Sequence, residues 1–142
     1  MVITEASDRY DVDLADHKVM QCVVDFAFTL TLKKGEQGVT IRVEGPFSMT
    51  RGGRTYELYA EGRPGELGPA VELSRTSVRA AVVYKTGELK MTFDDGTVVR
   101  VPSDPEYEAW TLTVTDGPLI VSGPGGKLTV FSSPAKPASA SN

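Results

Sequence analysis

Apolar and polar residues alternate along most of the chain in short runs that glycine-containing turns separate. The runs with a period of two are residues 28–32, 39–43, 89–93, 99–101, 110–114, 119–121 and 128–130. A period of two over such lengths is typical of strands with one buried face. Strands at regular spacing favour a β-roll, barrel or sandwich. We therefore predict an all-β domain of about ten short antiparallel strands.

The second half of the chain weakly repeats the pattern of the first half. Residues 19–24, 28–35, 41–43 and 47–49 match residues 78–83, 89–96, 99–101 and 110–112 in the order of their apolar positions. The match favours two similar β-meanders that pack into one core. Any two alternating meanders align to some extent, so a duplication and a coincidence of strand patterns both fit the sequence.

Glycine and proline mark the connections between the runs. Gly52-Gly53 indicates a two-residue hairpin turn, because glycine tolerates the positive φ angles of such turns. The string from Gly123 to Lys127 lacks the spacing of a phosphate-binding loop and is followed by a strand pattern, which favours a hairpin turn. Short helical turns are expected near residues 71–77 and 103–108, the second capped by Asp104.

The chain has the length of a single domain, and both of its ends are polar. Residues 1–9 form an acidic leader, residues 10–131 hold all the predicted strands, and residues 132–142 are rich in proline, alanine and serine. That last segment has no large apolar side chain to offset its ordering entropy, so we predict a disordered tail.

The net charge of −4 is concentrated at the start of the chain. Residues 1–16 contain five acids and one arginine, which leaves the other 126 residues neutral. Without a basic surface, binding to nucleic acid or to an anionic membrane is not expected. The single cysteine excludes an intramolecular disulfide, and neither a signal peptide nor a spanning apolar run is recognisable, so we expect a cytoplasmic protein.

Two charged segments are candidate partner-binding surfaces. Asp11 and Asp13 alternate with apolar residues, which predicts an edge strand whose outward carboxylates discourage strand addition. Together with Asp16 they also form a candidate acidic binding face. Arg51 and Arg54 flank the Gly52-Gly53 turn and are candidates for contacting an acidic partner.

The sequence offers few groups for catalysis. One histidine, His17, is too few for a metal site built on several histidines, and no Gly-x-Ser-x-Gly motif is present. Asp104, Glu106 and Glu108 could supply an acid/base pair, but acidic residues in a first helical turn are already explained by the cap and the helix dipole. We therefore expect no enzymatic activity, no metal and no cofactor.

One pattern in the second half resembles a known family. It reads Gly-x-Leu-x-x-x-Phe-x-Asp-Gly at residues 87–96, Tyr-Glu-Ala-Trp at residues 107–110 and Pro-Gly-Gly-x-Leu at residues 124–128. The chain from residue 10 to residue 131 resembles a family of small, uncharacterised, mainly actinobacterial proteins, a domain of unknown function. The resemblance implies no activity or catalytic residue, and at most a role as an immunity partner of a toxin. From the residues alone, Tyr107 and Trp110 are expected in the core, with Glu108 accepting hydrogen bonds from the adjoining turn.

The function that we expect from these observations is a non-enzymatic protein-binding module, with an immunity-type protein bound to a toxin as its specific form. An immunity protein acts by steric occlusion and charge complementarity and needs no reactive group. The first alternative is a small-molecule-binding β-barrel, which requires an apolar cavity. The second is an enzyme that uses Asp104, Glu106 or Glu108. The sequence does not specify an oligomeric state.

Overall fold

The computed structural model describes residues 2–131, which form 13 strands, one short α-helix and two short 3-10 helices. The strands are β1 (Ile3–Glu5), β2 (Arg9–Val12), β3 (Lys18–Val24), β4 (Phe28–Lys34), β5 (Gln37–Val43), β6 (Phe47–Arg51), β7 (Arg54–Leu58), β8 (Val78–Tyr84), β9 (Leu89–Phe93), β10 (Val98–Val101), β11 (Trp110–Val114), β12 (Leu119–Ser122) and β13 (Leu128–Phe131). The helices are a 3-10 turn at Pro64–Leu67, α1 (Gly68–Val71) and a 3-10 turn at Pro124–Gly126. The all-β prediction is confirmed.

The strands form two antiparallel sheets that lie against each other as a sandwich. The seven-stranded sheet has the order β1-β2-β8-β9-β10-β6-β7, and the six-stranded sheet has the order β13-β12-β11-β5-β4-β3. Each sheet ends in two edge strands that do not pair with each other, so neither closes into a barrel. Of the architectures that the sequence allowed, the sandwich or roll is therefore present and the barrel is not.

The weak sequence repeat corresponds to a repeat of the topology. The meander β3-β4-β5 lies in one sheet and its counterpart β8-β9-β10 lies in the other. Each meander is followed by a hairpin that crosses to the opposite sheet, β6-β7 after the first and β11-β12 after the second. Both meanders carry a register shift at the matching place, between Val19 and Gln21 and between Val78 and Ala80. Equivalent bulges in equivalent strands support two structurally similar halves.

The core lies between the sheets and is built from the apolar positions of the alternating runs. Phe28 of β4 and Phe47 of β6 stack across the two sheets with their ring centroids 5.7 Å apart. Trp110, Phe93 and Ile41 are completely buried in the same cluster. Burying a large apolar side chain contributes roughly 1.5–3 kcal/mol to folding, so this interdigitated layer is the principal source of stability.

The acidic strand near the N-terminus is not an edge strand, and that part of the prediction is wrong. β2 lies between β8 and β1, and β1 pairs Ile3 with Val12 and Glu5 with Tyr10. β1 is therefore the edge, and the predicted boundary between leader and domain falls inside the β1–β2 hairpin. A strand of three residues carries too little alternation to be recognised from its sequence.

The predicted turns are partly confirmed. Gly52 and Gly53 both adopt positive φ, at 58° and 79°, and connect β6 to β7 as a two-residue turn. The helical segment between the halves covers residues 64–71, earlier than the predicted 71–77. Residues 103–108 form no helical turn, with bends at residues 105–107. The predicted tail at residues 132–142 lies outside the described residues.

Candidate functional site

One end of the sandwich contains a junction at which three loops of the second half touch. Gly87 of the β8–β9 turn has a φ of 98°, and a Cβ atom added there would lie 2.7 Å from Cα of Gly126. A Cβ atom added to Gly126 would overlap the carbonyl oxygen of Thr86. The Trp110 Nε1–H donates to the Gly87 carbonyl at 2.9 Å, and the Ser122 hydroxyl donates to the same oxygen at 2.8 Å. We call the contact among Gly87, Gly126, Trp110 and Ser122 the closed junction. It shows that the two glycines and the tryptophan of the sequence pattern are packing residues.

The equivalent loops of the first half line a groove of about 630 Å³. These loops are the β3–β4 turn, the β5–β6 connection and the segment after β7, and residues 104–108 form the opposite wall. The lining residues are Phe26, Arg42, Glu44, Gly45, Tyr59, Glu61, Asp104, Tyr107 and Glu108. We call this feature the acidic aromatic groove.

Three aromatic side chains of the groove face solvent. Phe26 is 78 % exposed, Tyr107 is 70 % exposed and Tyr59 is 38 % exposed. The expectation that Tyr107 is a core residue is therefore wrong, whereas the burial of Trp110 is confirmed. The reason is that β11 begins only at Trp110, so Tyr107 lies in the preceding loop, where no inward face is defined.

The carboxylates of the groove outnumber its cations. The Arg42 guanidinium lies 3.5 Å from Asp25 Oδ1 and 3.7 Å from Glu44 Oε2, so its charge is shared by those two acids. Over residues 2–131, no basic side chain lies within 4.0 Å of the carboxylates of Glu61, Asp104 or Glu108. A hydrogen bond from the Ala27 N–H and the charge of Arg42 lower the pKa of Asp25. The groove is therefore negatively charged at neutral pH.

The two walls of the groove are close enough to interact electrostatically. The Tyr59 hydroxyl donates a hydrogen bond of 3.0 Å to Glu61 Oε1. That hydrogen bond raises the pKa of Tyr59 above its ordinary value, and desolvation and the negative charges of Glu61 and Asp104 raise it further. Tyr59 and Asp104 line the same groove from opposite walls.

Asp104 shapes the wall that carries Tyr107. Its Oδ1 accepts the backbone N–H groups of Glu106 at 2.9 Å and Tyr107 at 3.0 Å. The predicted capping role of Asp104 is thus present without a helix, and in the described structure Asp104 rather than Glu108 fixes this turn. Asp104 and Glu108 line the groove, whereas Glu106 does not.

The acidic residues that the sequence singled out lie elsewhere, near the β1 edge. Asp11 Oδ1 is 3.5 Å from the Arg9 Nε. Asp11 and Asp13 line a second, more open groove of about 460 Å³ over β1, β2 and β8. Asp16 has a φ of 66° in the turn that leads to β3. These three residues share one region but do not contribute to the acidic aromatic groove.

The two candidate arginines have different environments. Arg51 donates to Thr97 Oγ1 at 3.0 Å and to Glu72 Oε1 and the Pro69 carbonyl at 3.1 Å, so it connects the β6–β7 hairpin to α1. The Arg54 guanidinium lies 4.8 Å from the centre of the Tyr56 ring. Three strands separate β6 from β2 in the sheet, a distance of roughly 19 Å at the usual strand spacing. The structure therefore does not bring the predicted acids and arginines into one site.

The acidic aromatic groove is the feature that sequence reasoning missed. Its residues come from four segments between residues 26 and 108, so no local motif contains them. One signal was present outside the alternating runs: Phe26 and Tyr107 stand next to acidic residues, and Tyr59 stands two residues from Glu57 and from Glu61. Large aromatic side chains in connecting segments, where no buried face is available, are candidates for binding.

Within residues 2–131, no helix combines the length and the hydrophobicity needed to cross a membrane.

Comparison with known proteins identifies the chain at the level of its family. No curated protein and no solved structure matches the chain. Residues 10–132 match a family of unknown function (DUF6188), which confirms the resemblance to a domain of unknown function and covers most of the sequence. The chain therefore belongs to this family of unknown function.

Proposed function

We propose that the protein is a non-enzymatic protein-binding module and that the acidic aromatic groove is its binding surface. The observation that carries this proposal is the exposure of Phe26 and Tyr107 beside carboxylates that no cation of the described chain neutralises. Aromatic side chains dominate the energetics of protein interfaces, and a surrounding rim of charge provides specificity. A partner that covers these rings would remove their apolar surface from water.

The closed junction supports this proposal because it shows that the fold does not need a groove. The same three kinds of loop meet in the second half without a gap, through Gly87 and Gly126. The space between the equivalent loops of the first half and residues 104–108 is lined by exposed rings and carboxylates. Side chains that pack against little else contribute little to folding. Their role is then better explained by a partner than by stability.

The specific form of the proposal is an immunity-type protein that occludes a toxin. An immunity protein binds through shape and charge complementarity, and an acidic groove fits a partner with a basic surface. This form predicts that the gene lies beside a toxin gene and that the toxin is the captured partner. We expect the partner among cytoplasmic proteins, the compartment that the sequence predicts.

A second candidate function is the binding of a small molecule in the same groove. Its volume of about 630 Å³ falls within the range of ligand pockets, roughly 300–1,000 Å³. The barrel that the sequence suggested for this function is absent, since the two sheets remain open. A small-molecule ligand would therefore bind at the end of the sandwich rather than in its interior.

The proposal is tested by capturing partners with the tagged full-length protein and with matched variants. Phe26→Ala and Tyr107→Ala remove one ring each from the groove. Phe131→Ala is the matched control, because it removes a phenylalanine ring that is 50 % exposed on β13, at the opposite end of the sandwich. We expect a protein that the wild type and Phe131→Ala retain equally and that both groove variants retain at least about tenfold less, a loss of roughly 1.4 kcal/mol.

Calorimetry with the purified partner then separates direct from indirect capture. The proposal predicts saturable binding to the wild type and the same order of variants as in the capture experiment. Partners that bind Phe26→Ala and Tyr107→Ala as tightly as the wild type would show that the groove is not the binding surface. Capture of a toxin encoded by an adjacent gene would support the immunity form.

A further inference from the structure

We infer that the acidic aromatic groove recognises an arginine side chain on the surface of its partner. This inference rests on the proposed function, because it names the chemistry that the same groove binds. Its basis is the arrangement of Glu61, Asp104 and Glu108 around a space bordered by three exposed rings.

The charge of the groove selects a cation. Arg42 already lies between Asp25 and Glu44, which leaves the carboxylates of Glu61, Asp104 and Glu108 to a ligand. Among the described residues, no lysine, arginine or histidine side chain comes within 4.0 Å of Glu61, Asp104 or Glu108. A cation that enters the groove therefore displaces no internal ion pair. An anion would meet uncompensated negative charge.

The aromatic rings favour the same class of ligand. A cation placed over the face of a tyrosine or phenylalanine ring is attracted by the negative potential of that face. Among residues 2–131 the same contact is present with Arg54 over Tyr56 at 4.8 Å and with Lys85 over Tyr10 at 5.4 Å. In the groove, three exposed rings stand beside carboxylates, and the Arg42 guanidinium that also lines it is already paired with Asp25 and Glu44.

The geometry of Asp104 favours arginine over lysine. Its Oδ1 is held by the N–H groups of Glu106 and Tyr107, which fixes the orientation of the carboxylate. A fixed planar carboxylate is matched by a planar guanidinium, which presents several N–H donors in one plane and also stacks on aromatic rings. A lysine ammonium offers a point charge and cannot stack in this way.

The inference is tested by titrating ¹⁵N-labelled full-length protein with three capped tripeptides, of arginine, lysine and citrulline. Citrulline has the shape of arginine and no charge, so it is a matched control for the guanidinium. We expect triarginine to shift the amide signals of residues 44–45, 59–61 and 104–108 in a saturable way at millimolar concentrations or below, an affinity of the order set by a few exposed contacts. Trilysine should bind at least about threefold more weakly and tricitrulline at least about tenfold more weakly.

Charge variants locate the contact. Glu61→Gln combined with Asp104→Asn removes two charges from the groove, and asparagine keeps an oxygen that can accept the N–H groups of the turn. Asp11→Asn combined with Asp13→Asn removes the same charge from the β1 side. The first pair should weaken triarginine binding at least about tenfold, and the second should change it less than about twofold, because exposed charges far apart are screened by salt.

Equal binding of tricitrulline and triarginine would overturn the inference, as would signal changes confined to the region of Asp11 to Asp16. An absence of groove signal changes at about 10 mM triarginine would also overturn it. If capture of the partner is still reduced by Phe26→Ala and Tyr107→Ala in that case, the proposed function is retained and only the recognition of arginine is rejected. If those variants also capture the partner as well as the wild type does, the groove is not a binding surface and both proposals fail.

Discussion

The loops of the two halves differ at the same end of the sandwich. Those of the second half pack against each other, and those of the first half border a groove. In the second half, Gly87 and Gly126 touch, and Trp110 and Ser122 both donate to the Gly87 carbonyl. The equivalent loops of the first half, together with residues 104–108, line an open groove with exposed aromatic rings and carboxylates. The difference indicates that the packed loops of the second half supply stability at this end, while the space between the loops of the first half and residues 104–108 of the second is free to supply a binding surface.

The largest expected effect comes from adding a side chain at Gly126, which lies in the closed junction. Gly126→Ala combines a φ of 84° with an overlap of the new Cβ and the Thr86 carbonyl oxygen. We expect a loss of about 3 kcal/mol or more in the free energy of unfolding, measured by urea denaturation. Gly125→Ala is the matched control, since Gly125 has a φ of 73° with open space around its Cβ position. It should cost only about 1 kcal/mol, and equal losses for both variants would mean that the close contact is unimportant.

A smaller loss is expected from Trp110→Phe. The phenylalanine keeps most of the buried apolar surface but cannot donate to the Gly87 carbonyl, which then retains only the Ser122 hydroxyl. Lost packing and one lost buried hydrogen bond together should reduce the free energy of unfolding by about 2 kcal/mol. A denaturation curve followed by circular dichroism measures this loss. A variant as stable as the wild type would contradict the structural role of the indole N–H.

Removing an aromatic ring from the acidic aromatic groove should leave the free energy of unfolding almost unchanged. Tyr107→Ala removes a ring that is 70 % exposed, so the free energy of unfolding should change by less than about 0.5 kcal/mol. The same urea experiment tests it. A loss comparable with that of Trp110→Phe would show that the groove is part of the packed scaffold, and the contrast between the groove and the closed junction would disappear.

The smallest expected effect is a change in the titration of one tyrosine. Because the hydrogen bond to Glu61 raises the pKa of Tyr59, the contact stabilises the fold below the ordinary tyrosine pKa of 10.0 and is lost as the pH rises through the folded-state pKa. Glu61→Gln should move the pKa of Tyr59 back towards 10.0. The phenolate absorbance measures this shift, and Tyr59→Phe identifies the transition that belongs to this residue. An unchanged Tyr59 titration in Glu61→Gln would mean that the hydrogen bond does not form in solution.

Much of the fold could be predicted because it depends on local pattern. The alternation at residues 28–32 and 110–114 predicts half-buried strands, and both are strands with one buried face. The Gly52-Gly53 turn follows from backbone sterics alone. β1 was missed because three residues carry no usable period. The crossing of each hairpin to the opposite sheet depends on contacts between distant segments, which local alternation does not encode.

The candidate site could not be predicted, for a related reason. Phe26 and Tyr107 are more than 80 residues apart in the chain and line one groove only because the β3–β4 turn and the connection from β10 to β11 reach the same end of the sandwich. Arg51 was chosen for its exposed turn, yet Pro69, Glu72 and Thr97 are brought to its guanidinium by tertiary structure. Asp11 and Asp13 were chosen for their charge density, which the sequence shows directly. Their role in binding stays a prediction.

The most direct test of the account is a map of the captured partner on the ¹⁵N-labelled protein. Amide signals are followed while the purified partner is added to the full chain. The account predicts that the affected signals cluster at residues 26, 44–45, 59–61 and 104–108, with little change around Gly87 and Gly126. A footprint on Asp11, Asp13 and Asp16, or on the hairpin of Arg51 and Arg54, would contradict the assignment of the groove and favour the surfaces that the sequence alone suggested.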